Sequence, residues 1–60
     1  MEILNIIFSV IFVLSIFKDG VWTIESRYAK KEVAQWKLDQ YVATGIDPKN
    51  IKIEEVQEQR

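Results

Sequence analysis

A run of fifteen uncharged residues, from position 3 to position 17, constrains the fold of this chain more than any other feature. Twelve of its side chains are apolar, and all eight Lys and Arg residues of the 60-residue chain come after it. The run has neither the strict alternation of a half-buried strand nor the polar face of a surface helix. As a helix it is apolar nearly all round, so it needs apolar surroundings on every side.

A lipid bilayer provides such surroundings, and the run therefore predicts a transmembrane helix within residues 1–20. On an insertion scale of roughly −0.3 to −0.6 kcal/mol per Leu, Ile, Phe or Val, the apolar residues favour insertion by about 5 kcal/mol. The span is short, because about 17 residues rise only ~25 Å against a hydrocarbon core of ~30 Å. Glu2 and Lys18 are placed to reach the two headgroup layers with their charges.

The basic residues near the span set its expected orientation, because they all follow it. Under the positive-inside rule this places the N-terminus outside and the C-terminus in the cytoplasm. Two alternatives stay open for the run. One is a cleaved signal peptide, which the acidic Met1-Glu2 start and the lack of a small-x-small site disfavour. The other is a soluble protein that buries the run, either as a strand or as the central helix of an oligomer.

Residues 21–44 have the composition of a second, membrane-proximal helix, which Thr44-Gly45 is suited to end. One long helix, bent at Gly20, is favoured over two separate helices. Residues 45–60 then form a turn and a short tail. Asp47 is suited to cap and Pro48 to begin a helical turn. The tail beyond it reads as a frayed helix or as a strand that adds to a partner's sheet, and helix is slightly favoured.

Charges in the middle segment recur with a coiled-coil spacing. Acidic residues stand at positions 25, 32 and 39, and basic residues at 30 and 37 follow the first two by five. This is the offset of g-to-e pairs in a parallel coiled coil, so it favours a parallel homo-oligomer. The alternative is that these charges only solvate a helix. The same register, extended into the membrane, predicts helix–helix contacts at four residues: Asn5, Phe8, Phe12 and Ser15.

A second apolar stripe on the middle helix indicates a surface for other protein chains. Aromatic residues often dominate interface energies, which singles them out as candidate anchors. The alternative is that they pack against the chain's own tail. The predicted partner-binding residues are Trp22, Tyr28, Val33, Trp36, Leu38 and Tyr41.

Composition excludes several classes of function. The net charge of −1 leaves no basic excess for nucleic acid, and the lack of Cys and His leaves no zinc ligand set. No phosphate-binding loop and no catalytic triad are present, so we expect no enzyme activity, no metal and no cofactor.

Together these patterns predict an all-α fold with a single N-terminal transmembrane helix that continues or kinks into a cytoplasmic helix. The expected function is that of a small single-pass membrane protein, an accessory or regulatory subunit that binds membrane lipid and other membrane-protein chains. The alternative is a self-assembling, membrane-permeabilising peptide of the holin or toxin type.

Overall fold

The apolar run forms the central strand of a sheet, and the expected all-α fold is wrong. A computed structural model describes residues 8–59, and the side chains of 9–58. Three strands pair in the order β2-β1-β3, with one helix between β2 and β3 along the chain. The elements are β1 (Phe8–Lys18), β2 (Val21–Tyr28), α1 (Lys31–Ala43), a 3₁₀ turn (Pro48–Asn50) and β3 (Ile51–Gln59).

The central position of β1 explains its composition. A strand that has neighbours on both sides and side chains packed on both faces reads as a continuous apolar run and not as an alternating one. Val, Ile and Phe, which dominate β1, are also the residue types that fit a pleated surface best. Among the alternatives that the run allowed, the buried strand is therefore the correct one.

A two-residue turn at Asp19-Gly20 reverses the chain between β1 and β2. Asp19 has φ 52° and Gly20 has φ 83°, which is the pattern of a type I′ turn, and Lys18 pairs with Val21. Gly20 therefore closes a hairpin and does not bend a helix. Further along, the register shifts by one residue beside Leu14, which leaves Glu25 as the extra residue of a β-bulge.

The predicted stop of the middle helix is confirmed. Helix α1 ends at Ala43, the Thr44 N–H donates to the carbonyls of Gln40 and Tyr41 at 3.1 Å, and Gly45 follows with φ 115°. The predicted cap is confirmed as well, since an Asp47 carboxylate oxygen accepts from the Lys49 N–H at 2.9 Å. Pro48 begins the 3₁₀ turn after it. The predicted start of this helix is wrong, because α1 begins at Lys31, ten residues later than expected.

The tail is a strand and not the favoured helix. β3 runs antiparallel to β1, from Ile51 opposite Ile16 to Gln59 opposite Phe8. Its Ile51 and Ile53 alternate with polar residues and point toward α1. The tail thus adds to the sheet of its own chain, where the alternative had placed it on a partner's sheet.

The hydrophobic core lies between α1 and one face of the sheet. Leu14, Ile16 and Ile51 are its buried centre, and Ala34 is the buried residue of α1. Six partly buried residues pack against this centre: Tyr28, Leu38, Tyr41, Val42, Ile46 and Ile53. The core is thus formed by α1 on one side and by the strands of the sheet on the other.

Three expectations about the membrane and about assembly are corrected by this architecture. Within residues 8–59 no helix has the length and apolarity needed to span a membrane. The predicted single-pass topology, with its outside N-terminus and cytoplasmic C-terminus, is therefore wrong. The coiled coil is wrong too, because residues 25–39, which carry its predicted charge pairs, begin in β2, cross a loop and only then enter α1.

Leu14→Ala should lower the free energy of unfolding by about 2–5 kcal/mol, because it leaves a cavity at a fully buried position (0% exposed). A domain of this size has only ~3–9 kcal/mol in total, so part of the population should be unfolded at 25 °C. Urea unfolding followed by far-UV circular dichroism measures this. The control Val21→Ala, at a side chain 59% exposed, should cost under ~1 kcal/mol. Equal losses in the two variants would contradict the placement of the core.

Candidate functional site

The sheet has a second face that α1 does not cover, which we call the open face. Side chains alternate along a strand, so Leu14 and Ile16 point to α1 while Val13, Ser15 and Phe17 point away from it. Their partners on the neighbouring strands point the same way. None of the elements within residues 8–59 packs over this face.

Three apolar side chains are concentrated at one end of the open face, next to the β1–β2 turn. Phe17 and Trp22 are opposite each other in the hairpin, with ring centroids 5.3 Å apart and planes inclined by 62°. This edge-to-face geometry is the favourable one for an aromatic pair. Ile24 is next on β2, and the exposed fractions of the three are 39%, 42% and 51%. We refer to Phe17, Trp22 and Ile24 as the aromatic corner.

Lys52 on β3 reaches across the central strand to this corner. Its ammonium nitrogen lies 4.2 Å from the centroid of a Trp22 ring, within the range of a cation–π contact. Ser15 stands between the two strands at this level, opposite both Ile24 and Lys52. Because Ser15 is small, the long side chains beside it meet above it and bury it to 3% exposure.

Charges of both signs border the apolar part of the open face. Val13 lies between Arg27 on β2 and Glu54 on β3, and it is buried although α1 is on the other side of the sheet. The Lys52 ammonium is 3.7 Å from a Glu54 carboxylate oxygen, an exposed ion pair that adds little stability. The open face is thus apolar at its corner, with a mixed and nearly neutral border.

A smaller apolar surface lies on the outward side of α1. Val33 is 43% exposed and Trp36 is 59% exposed, and the Lys37 ammonium lies 6.0 Å from the Trp36 ring. Gln35 donates to an Asp39 carboxylate oxygen at 3.1 Å on the same helix. Trp36 is more exposed than any residue of the aromatic corner, but Val33 is the only other large apolar side chain of α1 that is exposed beside it.

The structure distributes the six predicted partner-binding residues over three places. Trp22 lies on the open face, and Val33 and Trp36 lie on the outer side of α1. Tyr28, Leu38 and Tyr41 pack against the core, and the Tyr28 hydroxyl oxygen accepts from the Ser26 hydroxyl at 2.8 Å. They do not lie together on one helix, which was the prediction.

The four predicted membrane contacts are not on one helix seam. Phe8, Phe12 and Ser15 belong to β1, where Phe12 faces the α1 side and Ser15 the open face. Asn5 lies outside the described residues. Phe17, Ile24 and Lys52, which complete the site around Trp22, were not predicted. The available signal was a hairpin at Asp19-Gly20, which would have placed Phe17 opposite Trp22 and Ile24 on the same face as Trp22.

Comparison of the chain with protein-family models, curated proteins and solved structures gave no match. The geometry of the open face is therefore the basis for assigning a function.

Removing the Lys52–Trp22 contact tests whether the ammonium stabilises the corner. Lys52→Ala and Trp22→Leu, made singly and together, should show a coupling free energy of about 0.5–1 kcal/mol in urea unfolding. Lys31→Ala is the matched control, because Lys31 lines a groove with Phe12 on the α1 side of the sheet. Its coupling to Trp22→Leu should be close to zero. A Lys52 coupling no larger than that of Lys31 would show that the contact contributes nothing.

Proposed function

We propose that this protein is a small interaction module that binds another protein chain through the open face, as an accessory or regulatory subunit of an assembly. The observation that supports it is the aromatic corner, in which three large apolar side chains remain 39–51% exposed beside one another. A contiguous apolar patch with a polar border is typical of a protein-binding surface. Single exposed apolar residues would carry no such meaning.

The chemistry of the corner favours a protein as the bound partner. Trp and Arg are among the residues that most often dominate binding energy, and Trp22 and Arg27 are both on this face. The positive charges of Arg27 and Lys52 are balanced on this face by the negative charges of Glu54 and Glu58. The face therefore has no net positive charge that would attract a polyanion such as nucleic acid. A partner that offers apolar side chains and a few charges of either sign is complementary to it.

The dimensions of the open face fit an amphipathic helix of the partner. Neighbouring strands are about 4.8 Å apart, so the three strands are about 10 Å wide between the axes of β2 and β3. This is the diameter of one α-helix with its side chains. The opposite face of the same sheet already carries one helix, α1. A partner helix would complete an α/β/α arrangement in which both faces of the sheet are covered.

Photocrosslinking in the native cells can identify the partner and its bound segment. A benzoylphenylalanine residue is placed at Phe17 in one variant and at Trp36 in a control variant. We expect the Phe17 variant to give a discrete crosslink that maps to the apolar stripe of a partner helix, and the Trp36 variant to lack it. A discrete crosslink from the Trp36 variant and none from the Phe17 variant would locate the binding surface on α1 and overturn the proposal.

Affinity for the purified partner segment then measures the contribution of the corner. Phe17→Ala should weaken binding by about tenfold or more, because truncating a central aromatic anchor usually costs over ~1.4 kcal/mol. The matched control is Trp36→Ala, which removes a larger and more exposed aromatic side chain from the other side of the molecule and should change the affinity less than about twofold. Circular dichroism confirms that both variants are folded. Loss of binding in the Trp36 variant alone would contradict the assignment.

A further inference from the structure

The two outer edges of the sheet differ in how well they are protected against pairing. β3 carries three glutamates and one lysine, and such a charged edge discourages the approach of another strand. β2 has the sequence VWTIESRY, with one acidic and one basic residue, no Pro and a majority of strongly β-forming side chains. Within residues 8–59 no strand pairs on the outer side of β2. β2 is therefore the edge on which a further strand can pair.

The turn geometry determines which backbone groups of β2 point outward. Residues that flank a two-residue turn form a hydrogen-bonded pair, so the N–H and C=O of Val21 point to Lys18 on β1. Pairs alternate along a hairpin, so Thr23 points inward as well. The N–H and C=O of Trp22 and Ile24 therefore point away from the sheet. These are the free donors and acceptors of the edge.

We propose that β2 pairs antiparallel with β2 of a second copy of this chain, around a two-fold axis at Thr23. In this register Trp22 lies opposite Ile24 of the other copy, and both have outward-pointing backbone groups. The two equivalent pairs form four hydrogen bonds across the axis. Both side chains are on the open face, so the faces match as well. Val21 lies opposite Glu25, and no two like charges meet.

Neighbouring registers fail on the same criteria. An axis at Glu25 places two glutamates opposite each other, which is destabilising. An axis at Ile24 places Trp22 opposite Ser26, whose side chain is on the α1 side because of the bulge at Glu25. The bulge thus limits the pairing to positions 21–25, and an axis at Thr23, the midpoint of this segment, is the one that pairs all five positions. A strand of another protein would need to meet the same criteria along this short edge, and β2 of a second copy meets them at all five positions.

The proposed dimer extends the sheet to six strands and joins the two open faces. Paired residues share a face, so the two-fold axis is perpendicular to the sheet and both α1 helices lie on the same side. The two aromatic corners then adjoin, since Trp22 of each copy faces Ile24 of the other. The dimer does not depend on the partner helix proposed above and can be tested with the chain alone.

A cysteine at the axis gives a direct test, because the chain has no native Cys. In the proposed register the two Thr23 residues form a non-hydrogen-bonded pair with Cα atoms about 4.5 Å apart, within the range of a disulfide. Thr23→Cys should therefore convert mainly to a covalent dimer in a glutathione redox buffer. Gln57→Cys on the β3 edge is the matched control and should remain mostly monomeric. Equal dimer yields from the two variants would overturn the proposal.

A charged residue at the axis tests the non-covalent dimer. Sedimentation equilibrium of the unmodified chain should show a reversible monomer–dimer equilibrium. Thr23→Lys should raise its dissociation constant about tenfold or more, since it places two ammonium groups opposite each other. Gln57→Lys should leave the constant unchanged. A chain that is monomeric at all concentrations, or a dimer indifferent to Thr23→Lys, would overturn the proposal. The Phe17 experiment compares Phe17→Ala and Trp36→Ala with Thr23 unchanged in both, so a failure of the dimer proposal does not decide its outcome.

Discussion

The rest of the structure depends on the pairing of β1 on both of its sides. Leu14 and Ile16 form the core with α1, while Val13 and Ser15 on the other face are covered by side chains from β2 and β3. β1 is thus the one element that contacts every other part of the sheet. Its almost continuous apolar sequence is the consequence, because residues 13–16 in the middle of β1 are at most 6% exposed.

The sequence predicted the local features and missed the long-range ones. The end of α1 at Thr44-Gly45 and the cap at Asp47 depend on a few adjacent residues, and both are confirmed. The environment of the apolar run depends on which segments surround it, and a short run without charges suits a lipid bilayer and a sheet centre equally well. Asp19-Gly20 between two apolar segments is the strongest signal for a hairpin, but within a helical interpretation of the flanking residues it indicates only a bend.

The same distinction separates the site residues that were predicted from those that were missed. Trp22 was selected because tryptophan is common at interfaces, a property of the residue type alone. Lys52 belongs to the site only because β3 pairs with β1 in a register that brings it across Ser15 to Trp22, a residue thirty positions away along the chain. The heptad spacing of the acidic residues is a coincidence, since Glu25 is in a strand and Glu32 in a helix.

Trp22 connects the two proposed interfaces through different parts of one residue. Its side chain stands on the open face beside Phe17, while its backbone groups point outward from the sheet edge. Pairing of two β2 edges would fix this backbone and restrict the rotamers of Trp22 against the opposing Ile24. A partner helix on the open face would then bind an already ordered corner and lose less entropy on binding. By linkage the partner would in turn strengthen the dimer by the same factor, so the two interfaces would act cooperatively although they contact different surfaces.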